Sequence, residues 1–545
     1  MAIKLSDSFQ VQSAIGKLKS SANNWLSELL IYQTLTPGLY TYPITDEEGN
    51  TMRIHLRIEP AGTGVMFIDV TDVIHLNPTA AEIAKWALDG RGKKETQRHI
   101  FSKYAQVDKV ATQNDIDKIY EMVDHFRYHN GDCFTCALTG SLEMSPLFSV
   151  EVNAPYKVDI ALTYGCNNEC PHCYNEADRL EMPSLPLDEW HTVLDKLAEI
   201  GVPHLILTGG EATLHPDLPQ IIRYADNLGM IVGLNTNGRH IGHEAYMDSL
   251  ANAGLNHVQI TLGSNHEEIH DMMMGAKSFD QTVKGIETAI RSNVHVITNT
   301  TLMRTNMDHA EEIIDFLYDL GIRTFAMNGM IYSGGGFAHP TAIPEEEMPP
   351  LLVRVRDHAN KLGMRFLWYT PTEYCRLSPV ELEVGAKRCN AGEYSMCIEP
   401  NGDVLPCQSY YISAGNIIHD PWEEIWQGDL FRSFRHREDD PQWAGLPEKC
   451  WECPDLALCG GGCRIEREAR DGVRISETGG GGCSGCSGSC GTGSASMAVK
   501  GHTHTAGFIP VGGYEPTASQ TRLDVRATGN MPLLTIDEIK TTDKI

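Results

Sequence analysis

The feature that most constrains this chain is Gly165-Cys166-Asn167-Asn168-Glu169-Cys170-Pro171-His172-Cys173-Tyr174. Three cysteines stand at C-x3-C-x2-C, directly after the alternating apolar run Lys157–Thr163. Thiolates are soft ligands that suit iron–sulfur clusters or zinc. A cubane cluster normally takes four thiolates. Three cysteines on one short loop therefore leave one iron open to hold a small molecule and pass it an electron. The alternative is a structural zinc knuckle, which needs a fourth ligand, and His172 is the nearest candidate.

The residues that follow alternate between strand and helix signals. Strands are expected at Val158–Thr163, His204–Thr208, Ile231–Asn235, His257–Leu262, Val294–Thr300 and Thr324–Met330. Helices are expected at Glu189–Ile200, Asp217–Leu228 and Asp308–Leu320, each with apolar residues on one face. Gly201, Gly229, Gly254 and Gly321 each end a helical stretch and precede a strand. Such alternation builds a parallel sheet with right-handed crossovers. Sites in these folds form at the carboxyl ends of strands, where the cysteine loop lies. The second strand ends in Thr208-Gly209-Gly210-Glu211, the third in Asn235-Thr236-Asn237-Gly238 and the fourth in Gln259-Ile260-Thr261-Leu262-Gly263-Ser264.

These motifs together resemble the radical S-adenosylmethionine (radical SAM) family. The resemblance implies a partial (β/α)6 barrel over residues 151–335. Cys166, Cys170 and Cys173 would hold a 4Fe–4S cluster whose open iron chelates SAM. Gly209, Gly210 and Glu211 would meet the SAM amino group, while Asn237 and Thr261 would also belong to the cofactor site. The chain departs from the family pattern at Ala212, where proline is usual, and at Gly263, where aspartate is usual. It departs again at Met274, which stands at an arginine position. Met272 and Met273 read as core packing.

Upstream, residues 1–37 read as a helical segment. Three strands, at Met52–Ile58, Val65–Val70 and Val73–Leu76, precede three helices, the first opened by Asn77-Pro78. This winged-helix-like α+β unit, over 38–128, resembles the RiPP recognition element, which binds the leader of a ribosomal precursor peptide. The edge implied is Val73–Leu76, flanked by a helix at 113–127. A plain winged helix for packing or nucleic acid is the alternative. Against the latter, Asp115, Asp117, Glu121 and Asp124 outweigh Lys118 and Arg127 on the third helix. Residues 129–150 read as a linker, and its Cys133 and Cys136 receive no role.

Downstream, 336–388 reads as a connecting region, in which Glu373 and Tyr374 are candidate substrate-facing groups. Cys389-x12-Gly402-x4-Cys407, then Cys450-x2-Cys453-x5-Cys459-x3-Cys463, follow within 389–490. This spacing resembles the SPASM domain, which implies two auxiliary 4Fe–4S clusters and three clusters in all. By position, Cys389, Cys397, Cys407 and Cys463 would hold the first auxiliary cluster. Cys450, Cys453, Cys459 and Cys483 would hold the second, with Cys486 or Cys490 as alternatives to Cys483. Zinc ribbons are the competing reading, since C-x2-C pairs favour zinc. The tail at 491–545 follows a Gly/Cys-rich stretch and carries one short strand candidate, Met531–Ile536. His502 and His504 there are read as ordinary polar residues.

Composition sets outer limits. The 545 residues carry a formal charge of −28, which repels phosphate backbones and argues against nucleic acid as a partner. Neither a signal core nor a membrane span is apparent, so a cytoplasmic protein is expected. Sixteen cysteines then read as metal ligands rather than disulfides. The expected activity is that of an oxidoreductase that matures a ribosomal precursor peptide. Hydrogen abstraction would form a thioether or carbon–carbon crosslink, with electrons from a flavodoxin or ferredoxin. Two other readings stand beside it. One is a leader-independent maturase, acting in formylglycine or tetrapyrrole side-chain chemistry. The other is a non-catalytic iron–sulfur partner, which the Gly209-Gly210-Glu211 corner disfavours.

Overall fold

The structure, a computed structural model, describes residues 35–45, 51–68, 72–104, 108–128, 143–144, 152–292, 294–475 and 533–536. The expected helical segment at the N-terminus, Cys133, Cys136, the Gly/Cys-rich stretch with Cys483, Cys486 and Cys490, and His502 and His504 lie outside the described residues.

The first unit is a meander of four antiparallel strands, β1 (Gly38–Thr45), β2 (Thr51–Ile58), β3 (Gly64–Ile68) and β4 (Asp72–Leu76). The reading of three strands missed β1, because Pro43 and the tyrosines obscure its pattern. Proline is at home on the outermost strand, where its missing N–H breaks no ladder. Helices α1 (Pro78–Leu88), α2 (Lys93–Lys103) and α3 (Lys109–Tyr128) cover one face of the sheet. Asn77 caps α1, its side chain accepting from the Ala80 N–H at 2.8 Å. In β2 the alternation is strict. Ile54, Leu56 and Ile58 join Met66, Ile74, Ile83, Ile116 and Ile119 in the core beneath the helices.

The other face of this sheet docks on the next unit. The His55 imidazole donates to the Gly229 carbonyl at 2.6 Å, and Arg53 donates to the Met230 carbonyl at 2.7 Å. Arg57 reaches the Pro155 and Gly201 carbonyls. Gly201 and Gly229 sit where helices end and strands begin, so the module lies against the N-terminal end of the parallel sheet. The cysteine loop is at the opposite end.

The short β5 (Glu143–Met144) belongs to the first sheet, and the second sheet includes β6 (Lys157–Thr163), β7 (His204–Gly209), β8 (Ile231–Thr236), β9 (His257–Thr261), β10 (His295–Thr301), β11 (Thr324–Asn328) and β12 (Arg365–Trp368). All seven are parallel neighbours in chain order. Between them stand α4 (Leu187–Ile200), α5 (Leu218–Asn227), α6 (Glu244–Ala253), α7 (Glu267–Met274), α8 (Phe279–Arg291), α9 (Ala310–Leu320) and α10 (Pro349–Lys361). The six expected strands are present. The connecting region at 336–388 belongs to the same sheet: α10 and β12 add a sixth helical connection and a seventh parallel strand. Strand β12 is four residues long, too short to give a periodic signal.

Register sorts the side chains. Val158, Leu205, Leu207, Val232, Leu234, Val258, Ile260, Phe325 and Met327 pack outward on helix residues such as Trp190 and Leu197. The alternate positions, among them Asn235, Gln259, Thr261, Asn299 and Asn328, face inward. Beyond β6 the sheet continues with β13 (Ser395–Ile398), parallel to β6, and β14 (Val404–Leu405), antiparallel to β13. The cysteine-rich region is thus built onto the barrel's own sheet edge. A final strand, β15 (Leu533–Ile536), runs parallel to β4 and antiparallel to β5 in the first sheet.

Candidate functional site

The cysteine loop leaves β6 after a shift of register between Ala161 and Thr163. The end of β7 supports it from below. Gly210 N–H donates to the Thr163 carbonyl at 2.7 Å, and Glu211 N–H to the Gly165 carbonyl at 2.9 Å. A Cβ at Gly209 would stand 2.1 Å from the Thr163 carbonyl oxygen, and one at Gly210 2.3 Å from that of Tyr164. The two glycines therefore let β7 approach the cysteine loop itself.

Glu211 is 1% exposed. One of its oxygens accepts from Thr213 Oγ1 at 2.6 Å and Thr236 Oγ1 at 2.7 Å, the other from the Asn237 N–H at 2.7 Å. The carboxylate ties the ends of β7 and β8 together. Asn237 in turn donates to Asn167 Oδ1 at 2.6 Å. Arg239, which sequence reading passed over, donates to the Asn167 carbonyl and, at 2.8 Å, to Asn168 Oδ1. Its signal was a lone cation directly after Thr236-Asn237-Gly238.

Met274 is buried on Cys170, its sulfur 3.9 Å from Cys170 Sγ, in a patch with Met273, Met303 and Met330. Met272 is 56% exposed, which corrects its expected place in the core. One residue along a helix turns the side chain by about 100°, so α7 turns Met272 outward while Met273 and Met274 turn in. His270 accepts from the Gly263 N–H at 3.2 Å and faces Ser278, and burial lowers its pKa to about 4. It fastens the turn after β9. Thr261 ends β9, paired with Asn299 of β10. Asn299 Oδ1 and Asn328 Oδ1 are buried without a protein partner.

The donors fit an iron–sulfur cluster. Burial raises the thiols of Cys166, Cys170 and Cys173, Cys170 to about 12. Bound iron offsets that cost by taking them as thiolates. Among the described residues no three cysteine sulfurs lie within 4.8 Å of one another. Tetrahedral zinc, with Zn–S near 2.3 Å, would hold its sulfurs roughly 3.8 Å apart. The unpaired amide oxygens on β10 and β11 supply polar acceptors for a small molecule above the loop.

The downstream cysteines fall into two sets. Cys389, Cys407 and Cys463 share one patch with Tyr410 and Ile465. Cys397 is placed apart from them, on β13, fully buried among Ala161, Tyr164, Leu405 and Tyr411. Burial pushes the Cys397 thiol up, and the charges of Asp159, Glu399 and Cys407 add to that. The second set is Cys450, Cys453 and Cys459. Glu373 is buried beside it, held by Arg376 at 3.0 Å, Lys449 at 3.1 Å and Arg470. Tyr374 exchanges hydrogen bonds with the Lys387 backbone.

Two further links were not legible in the sequence. Glu399, 1% exposed, accepts from Arg179 at 2.6 Å and from Tyr164 at 2.9 Å, and Tyr411 donates to Asn175 Oδ1 at 3.2 Å. These join the cysteine-rich region to the first cysteine loop. Their partners are about 220 to 240 residues apart, beyond any local pattern.

Residues 160–317 match the family described as the Radical SAM superfamily, and residues 389–454 match SPASM, described as an iron–sulfur cluster-binding domain. The chain thus carries a radical SAM domain followed by a SPASM domain. Radical SAM domains work with SAM and a 4Fe–4S cluster, and SPASM domains with auxiliary clusters. The chain is 28% identical to the AdoMet-dependent heme synthase of Methanosarcina barkeri, over 60% of this chain and 95% of that protein. It is 28% identical to the PqqA peptide cyclase of Streptomyces rochei, over 58% and 86%. With the antilisterial bacteriocin subtilosin biosynthesis protein AlbA of Bacillus subtilis the values are 26%, 72% and 84%. In fold it is similar to SuiB of Streptococcus suis, with a TM-score of 0.54 at 18% identity, covering 76% of this chain and 95% of that one. Among the described residues no helix is long and apolar enough to cross a membrane.

Proposed function

We propose that this enzyme modifies a ribosomally made precursor peptide by hydrogen abstraction, closing a thioether or a carbon–carbon crosslink. What carries the reading is one observation: a sheet module whose β4 takes on an added strand from far along the chain is hydrogen-bonded, through Arg53 and His55, onto a barrel that bears the cysteine loop. An extended peptide adds to a sheet edge by backbone pairing. Relatives named for peptide cyclisation and bacteriocin biosynthesis support it.

In this reading Cys166, Cys170 and Cys173 hold the SAM-binding cluster. With SAM bound, that centre supplies a carbon radical that takes a hydrogen atom from the substrate. The chain's own residues do the rest. Arg239 and Asn237 hold the loop, and Glu211 holds Asn237. Gly209 and Gly210 allow the close approach that brings Glu211 there. Thr261, Asn299 and Asn328 present polar groups toward the cofactor. Cys389, Cys407 and Cys463, with Cys397 as fourth ligand, would hold one auxiliary cluster. Cys450, Cys453 and Cys459 would hold another, three clusters in all. Cysteines of these two sets would there hold a one-electron acceptor for crosslink closure, and a flavodoxin or ferredoxin would serve as the low-potential electron donor.

The test is anaerobic. The reconstituted enzyme receives SAM, reductant and the short peptide encoded beside its gene. The expected result is 5′-deoxyadenosine together with peptide lighter by two hydrogens. Deoxyadenosine with unchanged peptide, and turnover that survives loss of the N-terminal module, would favour tetrapyrrole side-chain chemistry. That second reading draws on the heme synthase relative.

A further inference from the structure

Among the described residues the second auxiliary set is one thiolate short. A cubane takes four, and Cys450, Cys453 and Cys459 give three. We propose that Cys375 is the fourth protein ligand of that cluster.

The segment from Thr372 to Cys375 lies directly on the cysteine loop. Tyr374 N–H points to Cys459 Sγ at 3.3 Å, and the Thr372 carbonyl is 3.6 Å from the same sulfur. A Cβ on Gly462 would stand 2.7 Å from the Glu373 nitrogen, so the two backbones touch. Lys449, the neighbour of Cys450, donates to Cys375 Sγ at 3.6 Å. Cys375 is exposed and belongs to no apolar cluster, so packing gives it no task. With Cys375 in place the cluster is complete within the described residues, and the cysteines at 483, 486 and 490 are not needed for it.

This rests on the auxiliary-cluster reading above, and the wild type tests that first. Reconstituted full-length enzyme should bind about twelve irons for three cubanes; about four would overturn the auxiliary clusters themselves. The decisive comparison is Cys375→Ala against the triple variant Cys483→Ala/Cys486→Ala/Cys490→Ala. The readouts are iron and sulfide per chain and the EPR spectrum. Cys375→Ala should lose a cubane signal, either with its iron or by conversion to a three-iron form. Cys375→Ser should keep the iron with an altered spectrum, and the triple variant should match wild type. Full iron and an unchanged spectrum in Cys375→Ala would overturn the assignment.

A different observation concerns the module's edge. The strand expected to receive a peptide, β4, is already paired: Leu533, Leu534, Thr535 and Ile536 stand opposite Val73, Ile74, His75 and Leu76. We infer that β15 is a built-in occupant of the peptide-binding edge, which an outside peptide must displace. The inference rests on the peptide-recognition reading. A tethered segment competes at an effective concentration far above that of a dilute free peptide.

A fluorescein-labelled synthetic peptide of residues 525–545 probes this on the full chain. Leu534→Pro removes a ladder N–H and should release β15. The labelled peptide should then bind at least about tenfold more tightly to the variant than to wild type, with renewed exchange protection at the β4 amides. Equal binding to both, or none to either, would overturn the inference, while deoxyadenosine formation would still report on the chemistry.

Discussion

At the residue scale, the three thiols of the first loop were legible from spacing alone, because ligands on one turn leave a local pattern. What holds the loop was not. Asn237 and Arg239 come from just beyond the end of β8, and Met274 from the end of helix α7. Glu211, read as a group for the cofactor, also has oxygens engaged by Thr213, Thr236 and Asn237, links that the sequence did not announce. Replacing any one of Cys166, Cys170 and Cys173 by alanine should abolish SAM cleavage and remove about four irons per chain, as a cubane lost from one site would. Arg239→Ala should leave the ligands intact but loosen them. Outer partners of metal ligands are worth about 10- to 100-fold in affinity, so iron release to a chelator should quicken by that order in a stopped anaerobic assay.

At the element scale, strands and helices of the barrel declared themselves through period and through the glycines that end the helices. Gly201, Gly254 and Gly321 are helix caps in the left-handed region. The failures were short or outermost strands. Four-residue β12 lacks a period, and β1 carries a proline. The meeting of β7 with the cysteine loop yields a sharp test. Gly210→Ala would place a methyl 2.3 Å from the Tyr164 oxygen and 2.5 Å from that of Gly165. Both are backbone atoms that cannot step aside. The expected outcome is loss of the SAM-cluster signal with the auxiliary signals retained, read by EPR of the reduced protein.

At the scale of the whole molecule, a buried acidic knot joins the connecting region to the cysteine-rich region. Glu345, Glu373 and Glu466 share Arg470. Burial pushes the Glu345 and Glu466 carboxyls upward; repulsion from Glu373 adds to both, and repulsion from Glu345 adds to Glu466. The sign follows from linkage. Below the ordinary carboxylate range both states hold the protons, and the knot costs little. As pH rises from there toward the raised values, the unfolded chain sheds protons that the folded one keeps. Stability therefore falls across mildly acidic to neutral pH. The melting temperature should drop between about pH 5 and pH 8, and Glu466→Gln should flatten that drop.

The pairing of β15 with β4 also bears on how the protein is made. About 460 residues separate the two strands, and a ribosome adding roughly 5–20 residues per second needs about 20–90 seconds to cross them. Throughout that interval the first sheet waits with an open ladder of amides. Any extended chain nearby, including a freshly made peptide, meets the module before its own tail arrives. Synthesis order thus gives a partner peptide a head start that a finished molecule would deny it.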